Sequence, residues 1–308
     1  MIEINDACKS FGTLKALDHV SIKIPKGCIY GVIGENGAGK STLIQALVGI
    51  YTLDEGSILI EGQPVYENNE VKRHLGYVAD RNQFFKGYTV KQMMDFFDLA
   101  YPSFSVEKFE AYNKVFKLKK NAKVKNLSKG MQMRLAIMLN IAIGPRLLVL
   151  DEPTSGLDAI AKKQVLDLII SEVEESGMTV VISSHHLAEL ERICDEVTIL
   201  NQGKVAYQST VDDLKAKVKK LQVVFEEKAP EDLGKWPEIV NLDHVGSVYY
   251  IVTDQYSHSF EDKLRKNGAR LIEPIGLNLE EVFIYTSTVE RIEGERGKDE
   301  RVKSFNKN

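Results

Sequence analysis

The chain has 308 residues, of which 44% are hydrophobic and 27% are charged; this is typical of a globular protein, and the length suggests two domains. The formal net charge of −4 gives no reason to expect nucleic acid as a partner. The cysteines are few, widely spaced and odd in number, which favours a reducing cytosolic compartment: Cys8, Cys28 and Cys194.

The first predicted element is a short strand at 29–33, followed at once by the segment GENGAGKST, residues 34–42. This segment has the pattern G-x-x-x-x-G-K-[ST] of a phosphate-binding loop and precedes a predicted helix. Its glycines let backbone N–H groups approach a phosphate, and the helix directs its positive dipole end at the same anion. We therefore predict that Lys40 reaches the β- and γ-phosphate oxygens and that Ser41 binds Mg²⁺. The loop residues predicted to contact the nucleotide are Gly34, Glu35, Asn36, Gly37, Ala38, Gly39, Lys40, Ser41 and Thr42.

Between about 81 and 126 the pattern changes to that of a helical insertion. Thr89 and Ser105 are suitable N-cap residues, and apolar side chains at helical spacing, many of them aromatic, follow each of them. Such aromatic side chains either pack into the core or dock a partner, and the sequence leaves both interpretations open.

No signal peptide or transmembrane segment is evident in the sequence. The most apolar stretch, 135–143, contains Asn140 and is well short of the roughly 18 apolar residues that a membrane-spanning helix needs. If the protein works at a membrane, we expect another chain to span it.

Two further predicted strands, 147–150 and 179–182, are rich in Leu, Val and Ile without alternation, as expected for a parallel sheet covered on both faces. Asp151 and Glu152 follow the first strand, where one carboxylate can join the Mg²⁺ shell and the other can polarise an attacking water. The second strand leads to His185, which from the same edge of the sheet can contact a γ-phosphate.

A lysine-rich stretch near 215 predicts a domain boundary. Beyond it, short strands and two helices indicate a small α+β domain at about 218–288, without a catalytic or metal-ligand cluster. We predict a dimerisation or regulatory role for this domain. The charged segment 289–308 is predicted to be a disordered tail.

Taken in order, these motifs make residues 1 to about 210 resemble the ATP-binding subunit of an ABC (ATP-binding cassette) transporter. The resemblance implies an α/β P-loop NTPase domain at 1–215, with a parallel-sheet core and a helical subdomain at about 81–126, that uses ATP and Mg²⁺. It further implies that Phe11 stacks on adenine, and that the catalytic residues are Glu152, the switch histidine His185 and Lys40. In the same way, SGLD corresponds to the D-loop and ends in Asp158.

The segment LSKGM, 127–131, occupies the position of the family's signature, usually LSGGQ. Lys129 and Met131 replace a glycine and a glutamine, whereas Ser128 and Gly130, which carry the phosphate contacts in the family, remain. The resemblance implies that these residues contact ATP held by a second ATPase subunit, in a homodimer or a heterodimer.

A second departure lies in LGYVADRNQFF, which aligns with the family's Q-loop. The glutamine position falls on Asp80, which we expect to bind Mg²⁺ together with Ser41 and Asp151. The alternative is that Asp80 is a solvated loop residue and that Gln83, three positions later, takes the role through a shifted loop.

The leading functional hypothesis is a cytosolic ATPase subunit, peripheral at the inner face of the cell membrane, that drives a separate membrane-spanning permease. The LSKGM signature and the LEEVF stretch at 279–283 resemble exporters of drugs and antimicrobial peptides. The alternative is a soluble ABC-type ATPase acting on a non-membrane macromolecule, but the chain shows one phosphate loop and no heptad repeat. A GTPase switch is disfavoured because no N-K-x-D motif is present.

Overall fold

The computed structural model describes residues 1–85, 87–185, 187–282 and 284–285. The chain divides into two compact units, Met1–Ser209 and Thr210–Asn308, so the division lies a few residues before the predicted boundary near 215. The segment 289–308, predicted to be a disordered tail, and the last residue of LEEVF lie outside the described residues. Within the described part, no helix combines the length and the apolar character needed to cross a membrane.

The first unit contains ten strands and seven α-helices among its described residues. The strands are β1 (Ile2–Phe11), β2 (Leu14–Ile24), β3 (Ile29–Ile33), β4 (Glu55–Ile60), β5 (Gln63–Pro64), β6 (Leu75–Val78), β7 (Leu147–Asp151), β8 (Thr179–Ser184), β9 (Glu196–Asn201) and β10 (Lys204–Thr210). The helices are α1 (Lys40–Leu47), α2 (Asn69–Lys72), α3 (Val90–Ala100), α4 (Val106–Phe116), α5 (Lys129–Ala142), α6 (Ala159–Ser176) and α7 (Leu187–Leu190).

The centre of this unit is a six-stranded sheet with the order β10-β9-β3-β8-β7-β6. Strand β3 is parallel to β8 and β9, and β7 is parallel to β6 and β8. Every residue of β3, β7 and β8 is buried, which explains their continuous apolar sequences and confirms the predicted parallel core. In register, Ser184 pairs with Ile33 and Ser183 pairs with Asp151, so the three strands end at one edge of the sheet.

A second, antiparallel sheet with the order β2-β1-β4-β5 completes the unit's hydrophobic core. Strand β1 ends at Phe11, and register shifts interrupt its pairing with β2. Asp6 and His19 adopt positive φ angles of 52° and 54° at these irregularities, so the alternation of inward and outward side chains is broken.

The two N-cap residues predicted for the helical subdomain are confirmed. Thr89 caps α3 in a capping box with Gln92, and Ser105 caps α4. Some of the subdomain's aromatic side chains pack into the core, and others are exposed. Phe109 is fully buried, whereas Phe85 is 51% exposed and contacts further aromatic rings.

Polar contacts tie this subdomain to α6, and a further one ties α5 to the sheet. The buried Glu172 of α6 accepts hydrogen bonds from Lys108, at 3.0 Å, and from the hydroxyl of Tyr112. Burial and the Glu172 charge raise the pKa of Tyr112 above its usual range, so the tyrosine stays protonated and donates. The buried Asn140 of α5 accepts the backbone N–H of Tyr77 in β6 at 3.0 Å.

The second unit has α+β architecture, as predicted. Its described elements are α8 (Val211–Lys217), β11 (Lys219–Phe225), β12 (Ile239–Val245), β13 (Val248–Thr253), α9 (His258–Lys266) and β14 (Ala269–Ile275). The strands form an antiparallel sheet with the order β12-β13-β11-β14. Phe260 and Leu264 of α9 pack against Leu221, Val223 and Ile251 of the sheet. After the last strand, residues 279–282 and 284–285 are helical.

Candidate active site

A cavity of about 410 Å³ opens at the edge of the parallel sheet where β3, β7 and β8 end. It brings together most of the residues predicted from the sequence, although they come from distant parts of the chain. Its lining consists of Phe11, Leu14, Ala16, Asn36, Gly37, Gly39, Lys40, Ser41, Thr42, Asp80, Glu152, Ser155 and His185.

Glycines shape the phosphate loop, and at Gly34 and Gly39 an added Cβ would collide with backbone oxygen atoms. Gly39 has a φ of 104° at the N-cap of α1, and a Cβ there would lie 2.5 Å from the carbonyl oxygen of Ala16. The side chain of Lys40 folds back over this loop and donates to the carbonyl oxygens of Gly34, at 2.8 Å, and Glu35, at 3.1 Å. Burial lowers the pKa of Lys40, and the charges of two nearby carboxylates oppose that shift. The loop therefore holds a cation close to the N-terminus of α1.

The hydroxyl of Ser41 and the carboxylate of Asp151 form a pair of oxygen ligands. The hydroxyl of Ser41 lies 3.4 Å from Oδ1 of Asp151, and the buried Asp151 also accepts a 2.6 Å hydrogen bond from Ser183. A serine hydroxyl next to a fixed carboxylate is the kind of donor set that Mg²⁺ accepts, with the remaining positions open to phosphate or water oxygens. These residues therefore fit the predicted metal.

Glu152 and His185 contact each other at the cavity wall, where Nδ1 of the histidine lies 2.8 Å from Oε2 of the glutamate. Glu152 has a φ of 52°, a left-handed conformation that is unusual for a residue with a long side chain. Its backbone N–H donates to the hydroxyl of Ser183 at 3.1 Å, which secures this conformation. The arrangement fixes one carboxylate and one imidazole next to the phosphate loop.

Three predicted nucleotide contacts lie elsewhere on the same unit. Ser128 caps α5 and accepts the N–H of Met131 at 3.2 Å, and Asp158 caps α6 and accepts the N–H of Ala161 at 2.8 Å. Gly130 is buried against Leu157, where an added Cβ would come within 2.9 Å of a methyl carbon. None of the three lines the cavity described above. Their contact with nucleotide held by a second subunit stays a prediction.

Asp80 and Gln83, the two alternatives for the Q-loop position, face different spaces. Asp80 lines the same cavity as the phosphate loop, and its carboxylate lies 3.0 Å from Nζ of Lys129. Gln83 lines a separate cavity with Val124 and Gln132. The structure therefore brings Asp80 to the cavity with the other predicted residues, while its role as a metal ligand stays a prediction.

Comparison with known proteins identifies the family. A family model described as "ABC transporter" matches residues 17–155. The ABC transporter ATP-binding protein YtrB of Bacillus subtilis (strain 168) is 31% identical over 284 residues, which cover 92% of this chain and 97% of the relative. The chain belongs to the ABC transporter ATP-binding proteins. It is therefore an ABC ATPase, with the P-loop NTPase fold predicted from its motifs.

Two further ABC proteins extend the comparison. The bacitracin transport ATP-binding protein BcrA of Bacillus licheniformis is 34% identical over 226 residues, covering 71% of this chain and 73% of the relative. A solved structure described as the ATP binding subunit of an ABC transporter superposes with a TM-score of 0.65 at 27% identity, covering 70% of this chain and 92% of that chain. The solved structure and BcrA thus match less of the chain than YtrB does.

Two residues at or near this ABC ATPase site, Ser155 and Glu189, were not predicted from the sequence. Ser155 lines the cavity three residues after Glu152, so its position next to the predicted catalytic glutamate is a signal that the sequence does contain. Glu189 accepts hydrogen bonds from Thr154, at 2.5 Å, and from Lys162, at 2.7 Å, and so connects α7 to the segment after β7. No pattern in the sequence pointed to this connection.

Among the described residues, Cys8, Asp18 and His19 form another group with metal-ligand chemistry, since their potential ligand atoms lie within 4.8 Å of one another. Both oxygens of Asp18 already have cationic partners, however, because Lys15 contacts one and Lys204 lies 3.1 Å from the other. The hydrogen bond from Lys15 is the main reason why the pKa of Asp18 lies below its usual range. We therefore assign this group to an ion-pair cluster on the β1–β2 strand pair.

Proposed function

We propose that this ABC ATPase subunit binds Mg²⁺ and ATP in the cavity at the sheet edge and drives export through a separate membrane-spanning permease. The contact between Glu152 and His185, next to the phosphate loop, is the observation that carries the hydrolytic part. The similarity to BcrA, a bacitracin transport protein, supports a role in transport, and the resemblance of the LSKGM signature to those of exporters supports export as its direction.

Each part of the reaction has a residue suited to it. The backbone of the loop and the ammonium group of Lys40 bind the phosphates, and Ser41 and Asp151 would hold the metal, whose charge offsets that of the transferred phosphoryl group. Glu152 accepts a proton from the attacking water and orients the water oxygen towards the phosphorus. His185 orients the Glu152 carboxylate through the 2.8 Å contact and lies close enough to the loop to meet the γ-phosphate.

In the proposed mechanism, the site is complete only when a second ATPase subunit is present. Ser128 and Gly130 lie at the N-terminus of α5, away from the cavity of their own chain, where backbone N–H groups and the helix dipole favour an anion. A second subunit, identical or related, would present these residues to the γ-phosphate, so that hydrolysis depends on closure of two chains around ATP.

The permease assignment is tested by purification of the tagged chain from native membranes. We expect a multi-span membrane protein to copurify and ATP hydrolysis by the complex to respond to transported substrate. A Lys40→Ala variant should retain the partner and lose nucleotide binding, which separates assembly from catalysis. Exclusive copurification with ribosomes or other soluble assemblies, at full ATPase activity, would contradict the permease role and favour the alternative ABC ATPase function.

A further inference from the structure

The two departures from the family pattern, Asp80 in the Q-loop position and Lys129 in the signature, contact each other. Nζ of Lys129 lies 3.0 Å from Oδ1 of Asp80 and 3.2 Å from the hydroxyl of Ser155. These residues belong to three segments, namely the loop after β6, the first turn of α5 and the segment after β7. The residues that usually occupy the two positions, glutamine and glycine, could not form an ion pair, so the contact exists only because both positions have changed.

We infer that Lys129 is a positioning residue that acts through Asp80, and that its ammonium group competes with Mg²⁺ for the Asp80 carboxylate. The inference rests on the proposed function, because it concerns the metal-dependent binding of ATP in the same cavity. It deepens that function by naming the group that controls whether Asp80 is accessible to the metal.

The competition follows from where Asp80 lies. Its carboxylate faces the cavity that Ser41 and Glu152 also line, so it borders the space that a nucleotide-bound metal would occupy. Asp80 is 37% exposed and Lys129 is 51% exposed, so both side chains can exchange partners without unfolding. A carboxylate that accepts a hydrogen bond from an ammonium group has part of its negative charge neutralised, so it attracts a second cation less strongly. Removal of the ammonium group therefore raises the affinity of the site for Mg²⁺.

The positioning follows from where Lys129 lies. It is the first residue of α5, between the capping Ser128 and the buried Gly130, and its side chain reaches back to the edge of its own nucleotide cavity. The contacts with Asp80 and Ser155 thus connect the signature turn to the cavity. Because the contacts join residues of one chain, their contribution can be measured without any turnover.

The first experiment measures the Mg²⁺ concentration needed for half-maximal binding of a fluorescent ATP analogue to four full-length proteins: wild type, Lys129→Gln, Asp80→Asn and the double variant. We expect Lys129→Gln to lower this concentration by about two- to fivefold, the range that an exposed ion pair supports. In the Asp80→Asn background the same substitution should have no effect. An equal effect in both backgrounds, or none in either, would overturn the competition with Mg²⁺.

A matched control is the exposed pair Lys91 and Asp95 on α3, whose atoms lie 2.8 Å apart with side-chain exposures of 57% and 48%. Lys91→Gln and Asp95→Asn change the charges in the same way but lie outside the cavity lining. They should leave the Mg²⁺ dependence unchanged. A shift as large as that of Lys129→Gln would show that net charge, rather than the contact with Asp80, controls metal binding.

The second experiment is a urea-unfolding cycle on the same four proteins without nucleotide. We expect Asp80→Asn and Lys129→Gln to be non-additive, with a coupling of about two- to fivefold in the unfolding constant, and the swap Asp80→Lys with Lys129→Asp to restore part of it. Strict additivity would overturn the positioning role. This measurement needs no ATP, so it tests the ion pair independently of the proposed function. Failure of the wild-type chain to bind ATP would disprove the proposed function and would leave the result of the unfolding cycle unaffected.

Discussion

The aromatic ring of Phe11 offers a quantitative test of where adenine binds. Phe11 ends β1 at the cavity, is 42% exposed, and meets Tyr51 edge-on with 5.2 Å between ring centroids. Nζ of Lys9 lies 5.7 Å from the ring centroid. Because much of the ring is already in solvent, its removal should cost the fold little and should act mainly on binding. Loss of base stacking is worth roughly 1–3 kcal/mol, so Phe11→Ala should raise the Kd for ATP by about 5- to 150-fold.

The assay is a calorimetric titration of the purified chain with ATP in saturating Mg²⁺, which gives the Kd for ATP. Phe11→Tyr keeps the aromatic face and should bind ATP nearly as wild type does. Phe85→Ala is the matched control, because Phe85 is a comparably exposed phenylalanine at 51% that does not line the cavity. If Phe11→Ala binds ATP as tightly as wild type, adenine does not stack on Phe11 and the reasoning is wrong.

Three further predictions concern the core, the second unit and the thiols. Asn140→Leu leaves the part-buried N–H of Tyr77 without its acceptor and should lower the free energy of unfolding by about 1–3 kcal/mol, whereas an unchanged urea midpoint would contradict this role. A chain that ends at Ser209 should bind nucleotide normally but form fewer dimers without ATP in size-exclusion chromatography; an unaltered dimer population would remove the proposed dimerisation role. Burial raises the pKa of Cys28 to about 11 and also raises that of Cys194, so at pH 8 both thiols should react with a thiol reagent far more slowly in native than in unfolded protein, and equal rates would refute this.

Much of the parallel core could be predicted from the sequence because its signals are local. The phosphate loop needs glycines at fixed spacing, and strands buried on both faces need uninterrupted Leu, Val and Ile, so both can be recognised without knowledge of the rest of the chain. The caps at Thr89 and Ser105 were equally local, since each accepts hydrogen bonds from residues within the next turn. Predictions of this kind agree with the structure.

Other features depend on contacts between distant segments, and the sequence did not reveal them. The antiparallel strands β1 and β2 lack a clean alternation because Asp6 and His19 adopt left-handed conformations at irregular pairings, so no strand was predicted there. The contact between Asp80 and Lys129 joins positions 49 residues apart, and each was recognised only as an isolated departure from the family pattern. Their pairing follows from how α5 packs beside β6.

The most direct test of the central claim, ATP hydrolysis at the edge of the parallel sheet, is the ATPase rate of Glu152→Gln beside its ATP binding. The amide keeps the shape of the side chain but cannot accept the proton from water. We predict that the variant binds ATP like wild type, nearly stops turning it over, and elutes as an ATP-dependent dimer in size-exclusion chromatography. Hydrolysis by Glu152→Gln at the wild-type rate would contradict the account.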